Sequence, residues 1–290
     1  MSGACTEGLD TGFIALGYGK VAALGVVQGI TELLPISSTA HMRIIPAFLG
    51  WQDPGSAFSA AMQLAALLAV VGYFWADVSG VAAGSVRAVL RKDWHHPSFR
   101  FAVGIAIATV PIVIFGVLLS KLLNTCDSPL RSLNVIGISC ILMAAFLALG
   151  EIIARRNRSA AQMDWMDALL IGLSQVGALI PGISRSGSTL TAVLFLDFKR
   201  DDAARISFLL GIPAIALAGL YEIYKLAKAG LGMQGWMILG LGLIVASVSA
   251  FVAIWGLMRF LREHSAWPFA FYRLGLGVVL LVGVSRGWWA

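Results

Sequence analysis

Gln28-Gly29-Ile30-Thr31-Glu32-Leu33-Leu34-Pro35-Ile36-Ser37-Ser38-Thr39-Ala40-His41 decides the fold, because it sets a carboxylate, a hydroxyl triplet and an imidazole inside a lipid-like chain. A related stretch follows far downstream: Ser174-Gln175-Val176-Gly177-Ala178-Leu179-Ile180-Pro181-Gly182-Ile183-Ser184-Arg185-Ser186-Gly187-Ser188-Thr189. The separation of Gln28 from Ser37 equals that of Gln175 from Ser184, and a proline breaks each stretch. Ionisable and polar groups are costly in hydrocarbon and mark a functional site by default. The pairing says that the site is built twice, once from each half of the chain.

The surrounding composition sets the solvent. Of 290 residues, 59% are hydrophobic and only 12% charged, and the mean hydropathy is +0.86. Soluble domains carry about 25% charged residues, so the chain reads as an all-α integral membrane protein. Apolar runs around Phe58–Trp75, Phe101–Leu123, Leu133–Ile153, Ile206–Tyr224, Trp236–Leu257 and Phe269–Val284 approach the ~20 residues that a spanning helix needs. No segment alternates as a membrane strand would. The net charge of +6 is spread over loops without a dense basic tract, which excludes nucleic acid as a partner. Cys5, Cys126 and Cys140 are far apart and read as packing residues. Met1 to Lys20 lacks the pattern of a cleaved signal peptide.

The two polar stretches predict helix–loop–helix hairpins that dip into the membrane and return. Val21–Leu34 and Met42–Leu49 flank the first break, and Met166–Ile180 and Ser188–Phe198 flank the second. Broken backbone at that depth is tolerated only where protein or water surrounds it. Three spans between the hairpins make the second enter from the opposite face. The expectation is one membrane domain, residues 1–290, built as an inverted-topology repeat of about six spans plus two re-entrant hairpins. Repeat one covers about 18–155 and repeat two about 163–290. Arg87, Arg91, Lys92, Arg100, Arg155, Arg156, Arg158, Lys199, Arg200, Arg259 and Arg262 mark the cytoplasmic side, and Lys20, Lys121, Arg131, Lys225, Lys228 and Arg286 the sparser outer side. Tryptophans at run ends form an interfacial belt.

The chemistry divides between the hairpins. Arg185 is the natural anion binder, since its planar fork matches phosphate oxygens. Gly182 and Gly187 would admit backbone N–H groups, the next helix start adds its dipole, and Ser184, Ser186 and Ser188 add donors. Glu32 is the internal counter-charge, and a purely structural Glu32–Arg185 pair is the plainer alternative. Against a bound phosphate, Ser38 or Ser37 could attack with Glu32 or His41 as base, or His41 could attack or protonate the leaving group. Glu32 could also hold Mg²⁺ or Ca²⁺ jointly with substrate oxygens. Gln63 is a weaker candidate, and His95 and His96 read as solvated loop residues.

At these residues the chain resembles the bacterial undecaprenyl-diphosphatase family of the bacitracin-resistance type. The matching motifs are Gln28 to Glu32, Pro35 to His41 and Pro181 to Gly187, with Ser174-Gln175 and Ser207 to Leu210 in support. The resemblance runs from about Leu24 to the last helix and implies hydrolysis of undecaprenyl diphosphate to the monophosphate and inorganic phosphate. That reaction recycles the carrier lipid for cell-wall synthesis and gives bacitracin tolerance. It further implies a divalent metal, a multi-pass protein of the bacterial inner membrane, and a site opening to the periplasmic side. Carried over, Glu32, Ser38, His41 and Arg185 form the catalytic core, with Gln28, Ser37, Thr39, Ser184, Ser186, Gly182 and Gly187 at the substrate. Gln28 stands where many members have Glu, so Glu32 is expected to be the sole carboxylate.

The competing class is a polyprenyl-phosphate transporter or flippase, since inverted repeats with broken helices are also a carrier layout. The Ser-Ser-Thr-x-His cluster argues for hydrolysis, because a carrier needs donors but no nucleophile beside a base. Small-residue patterns such as Gly240-x-Gly242 fit packing within one chain or in a homodimer.

Overall fold

The computed structural model describes residues 5–6, 9–123 and 128–288. The packing role expected of Cys126 falls outside them. After a short antiparallel pairing of Cys5–Thr6 with Leu9–Asp10, the described chain is helical. The helices are α1 (Phe13–Leu33), α2 (Ser38–Phe48), α3 (Ser56–Tyr73), α4 (Trp75–Arg91), α5 (Pro97–Leu118), α6 (Ser120–Leu123) and α7 (Leu133–Ile153). The second half contributes α8 (Trp165–Val176), α9 (Arg185–Phe195), α10 (Arg200–Lys228), α11 (Met233–Glu263) and α12 (Trp267–Ser285).

Seven described helices are long and apolar enough to cross a membrane: α1, α3, α5, α7, α10, α11 and α12. Six of them, α3, α5, α7, α10, α11 and α12, match the expected spans. The seventh, α1, is the longer arm of the first hairpin, expected to start near Val21. Its apolar face continues back through Leu16 and Phe13, across a break at Gly17 with φ 70° and ψ −179°. By contrast α2 and α9, at 11 residues, and α8, at 12, reach only about 16–18 Å at 1.5 Å per residue. They cannot cross ~30 Å of hydrocarbon.

A correction concerns Trp75–Arg91. Its charges read as a loop, yet the segment forms α4, an amphipathic helix with most residues exposed. Only Gly84 and Ala88 are buried, and Gly84 lies so close to Ser98 that a Cβ would collide with its Oγ.

Six of the helix pairings are α1 with α11, α5 with α8, α3 with α10, α7 with α12, α3 with α11, and α5 with α10. Exchanging α1 for α8, α3 for α10, α5 for α11 and α7 for α12 returns the same set. Gly25 on α1 lets Gly242 of α11 approach, and Gly172 on α8 does the same for Ala108 of α5. Of the Gly240-x-Gly242 pair, Gly242 packs against Val21 and Met62 of the same chain, while Gly240 faces open space.

The basic side carries an ion-pair layer. Buried Glu151, at the end of α7, accepts from Arg156, from Arg200 at 2.6 Å and from the Ala266 N–H at 2.8 Å. Arg158 pairs with Asp167, and Arg205 with Asp77. The Asp197 carboxylate accepts the Arg155 N–H. His96 accepts the Ser98 N–H at 3.2 Å and caps α5, so it is more than a solvated loop residue.

Candidate active site

The α1 helix stops because Pro35 supplies no N–H and pushes Leu34 into extended conformation (φ −68°, ψ 144°). The chain reverses through Ile36, and Ser37 takes a left-handed φ of 74° to start α2, its hydroxyl accepting the Ala40 N–H. The second hairpin repeats the device. Pro181 and Gly182 (φ 98°) turn the chain, and Ser184 takes φ 72° and caps α9 by accepting the Gly187 N–H at 3.1 Å. Ser37 contacts the Thr39 hydroxyl at 3.2 Å, and Ser184 contacts the Ser186 hydroxyl at 3.2 Å. Two non-glycine residues in a sparsely populated backbone region at matched positions are a mark of a functional turn.

The tips are tied to each other. Ser186 donates to the main-chain oxygens of Glu32 and Leu34, both at 3.2 Å. Arg273, from the middle of α12 and 0% exposed, donates to the Pro35 carbonyl at 3.1 Å and to the Gly182 and Ile183 carbonyls at 2.5 and 3.0 Å. A Cβ on Gly187 would lie 3.0 Å from the Arg273 guanidinium, and one on Gly182 would lie 2.8 Å from the Ile136 carbonyl. These glycines, with Ser37 and Ser186, therefore build the loops; they do not line the cavity.

Between the tips lies a cavity of about 250 Å³. Of the residues singled out in the sequence, Glu32, Ser38, Thr39, Gln63, Ser184 and Arg185 line it. Glu32 is buried and accepts the Ser38 hydroxyl, with Gln28 donating to the same oxygen at 3.1 Å from behind. The other Glu32 oxygen lies 3.5 Å from an Arg185 Nη. All three Arg185 guanidinium nitrogens are buried and lack a hydrogen-bond partner. Burying such a donor set unsatisfied is costly. Gly211 of α10 makes the space, since a Cβ there would overlap Arg185 Nη1.

His41 is placed elsewhere. One ring nitrogen meets the Ser37 carbonyl at 2.7 Å and the other the Tyr272 hydroxyl at 2.6 Å. It lines a separate apolar groove with Ile30, Leu34 and Phe269. The structure therefore does not bring it to the Ser38–Glu32–Arg185 cluster.

Sequence reasoning misses Arg273, Gly211 and Tyr272. The first has a readable signal, an arginine within an otherwise apolar span. Gly211 and Tyr272 carry none, because each matters only through a residue distant in sequence.

Comparison with known proteins agrees with this architecture. The family model described as "Bacitracin resistance protein BacA" matches residues 21–279. A protein of Mesorhizobium japonicum named undecaprenyl-diphosphatase 2 is 65% identical over 264 residues, covering 91% of this chain and 100% of its own. Undecaprenyl-diphosphatases of Trichormus variabilis and Synechocystis sp. are 47% and 44% identical, over 92% and 97% of this chain and 84% and 88% of theirs. By the extent of that match and the two hairpin motifs it contains, the chain belongs to the bacitracin resistance protein BacA family.

Proposed function

We propose that the protein hydrolyses undecaprenyl diphosphate to undecaprenyl phosphate and inorganic phosphate. One observation carries the reading: a hydroxyl, Ser38, is hydrogen-bonded to a carboxylate that stands beside a guanidinium with no hydrogen-bond partner of its own. A phosphoryl group on Arg185 would satisfy that guanidinium bidentately. Glu32 then takes the Ser38 proton as Oγ attacks the terminal phosphorus, and the anhydride bond breaks with the lipid monophosphate as leaving group. Water subsequently opens the phosphoserine. Arg185 offsets charge that develops on the phosphoryl oxygens, and the helix starts at Ser38 and Arg185 point their positive dipole ends towards the same space. His41, held by Ser37 and Tyr272, orients the α2 start.

A divalent cation fits as a partner of the substrate. Among the described residues no group of three or more His, Cys, Asp or Glu forms a metal cluster. Glu32 with the Ser38 hydroxyl and the diphosphate oxygens is a donor set that suits Mg²⁺ or Ca²⁺. Such an ion would neutralise phosphate charge.

The packing exchange between halves and the paired tips support an inverted repeat, with 18–155 and 163–290 as its units in one domain. The cavity also touches Arg131 and Glu222, on the side with fewer basic residues. With the loop charges, this favours a site open to the periplasmic face of the inner membrane. A homodimer through faces such as that of Gly240 would be a separate property of the assembly.

Phosphate release from undecaprenyl diphosphate by purified protein in detergent, with and without EDTA, tests the reading. Release is expected from the wild type and not from Ser38→Ala. Release retained in Ser38→Ala would move the attack to water. No release from folded wild type would leave the lipid-carrier reading.

A further inference from the structure

The same cavity holds a second set of donors that the hydrolytic cluster does not use. Arg43, five residues along α2 from Ser38, Arg131, in the turn before α7, and Ser128 all line it. Five helical residues place the Arg43 backbone about 7.5 Å further along α2 than Ser38, in the direction of the loop that carries Asp53. Asp53 is the shared counter-charge: Arg131 Nη2 donates to its two oxygens at 3.1 and 2.9 Å, and Arg43 Nη1 lies 3.4 Å away. One of those oxygens also accepts the Gly55 N–H at 3.0 Å.

Two arginines on one carboxylate leave one positive charge in excess. Arg43 Nε and the Ser128 hydroxyl are, in addition, buried without a hydrogen-bond partner, and Ser128 is 5% exposed. The Arg156–Glu151–Arg200 cluster has the same charge ratio but does not line this cavity and receives the Ala266 N–H. It is a staple between helices. The Arg43–Asp53–Arg131 group faces open space with donors to spare.

We propose that Arg43, Arg131 and Ser128 form a second phosphate-binding subsite at the outer end of the cavity, distinct from Arg185. Its ligand is a phosphate group, either one phosphate of the bound lipid headgroup or the inorganic phosphate on its way out. The proposal rests on the phosphatase reading for that role. The site itself is a statement about oxyanion binding and stands apart from turnover.

The test therefore has two arms on the intact protein in detergent micelles. In the first, direct binding of inorganic phosphate is measured by calorimetry in an Arg185→Ala background, which removes the inner site and any turnover. Arg43→Gln and Arg131→Gln should each weaken binding about tenfold or more, as loss of a charge-assisted hydrogen bond does. Asp53→Asn, which keeps the oxygen for Gly55 and removes the competing charge, should tighten it. In the second, KM for undecaprenyl diphosphate is compared in otherwise wild-type protein, with melting temperatures as a folding control.

Raised KM in the two glutamine variants, with a smaller change in kcat, identifies the lipid headgroup as occupant. Weaker phosphate binding with unchanged KM identifies the product. Phosphate affinity and KM unchanged in folded variants would overturn the subsite, and so would equal weakening by Asp53→Asn and Arg131→Gln, which is what a purely structural clasp predicts. Absence of phosphate release from the wild type in the second arm would instead count against the phosphatase reading.

Discussion

The two hairpin tips share a backbone and divide a chemistry. Ser37 and Ser184 adopt φ 74° and 72°, each caps the helix that follows, and each touches the hydroxyl two residues on. At the next position the first tip has Ser38 and the second Arg185. At the equivalent of Glu32 the second has Leu179, and at the equivalent of His41 it has Ser188. The shared turn fixes where side chains can stand, and a few changes of residue make one tip the hydroxyl and carboxylate donor and the other the cation donor. Placing the cation on a separate element keeps Arg185 3.5 Å from Glu32, in ion-pair range but outside hydrogen-bond geometry. The fork keeps its donors free of Glu32.

Removing either specialised side chain should disturb this division most severely. Arg185→Ala and Ser38→Ala should each lower the rate of phosphate release about 10³-fold or more, by analogy with lost transition-state donors, with the protein still folded. A near-normal rate in Arg185→Ala would remove the assigned division of labour. Arg185→Lys should recover little, since an ammonium lacks the fork.

Gly211→Ala should be the next largest. Its methyl group would enter the space of Arg185 Nη1, and a displacement of that size should cost about 10²-fold in kcat/KM with little change in melting temperature. An unaffected enzyme would mean that Arg185 works from another rotamer.

Loss of the link between the tips is a stability effect first. Arg273→Met removes three hydrogen bonds from buried carbonyls and should cost about 3 kcal/mol, at about 1 kcal/mol each, seen as a lower melting temperature in detergent. Arg273→Lys should recover only part, because a single ammonium cannot span both loops. Smallest and sharpest is the pair Ser37→Ala and Ser184→Ala. Each removes one cap at about 1 kcal/mol, and the two should agree within a few tenths. A large inequality in thermal stability would show that the tips are alike only in backbone.

Much of the site is legible in the sequence. The paired spacing locates both loops, and the cost of charge in hydrocarbon points to Glu32, Ser38 and Arg185. Motif position alone does not give the partners of His41, because three residues after Ser38 on a helix leaves open which neighbour its ring will meet, and Tyr272 lies 231 residues away. The expectation that Gly182 and Gly187 clear a path for an anion gives way to packing against Ile136 and Arg273. Residues 13–20 are hard to read as part of a span, because Lys20 and the Gly17 break interrupt the apolar run that α1 nevertheless continues.

The membrane solvent, the helical class, the existence of two matched polar hairpins and the chemical types at their tips are all set by the amino-acid order. These follow from local quantities: hydrophobic run length, the missing N–H of proline and the expense of a buried charge. Only the packed molecule leaves Arg185 without a hydrogen-bond partner, makes its room at Gly211, joins the tips through Arg273, and puts Arg43 and Arg131 on one carboxylate at the edge of the same cavity. Each of those depends on which distant helices touch, and contact between residues far apart in the chain is a property of packing that no local pattern encodes.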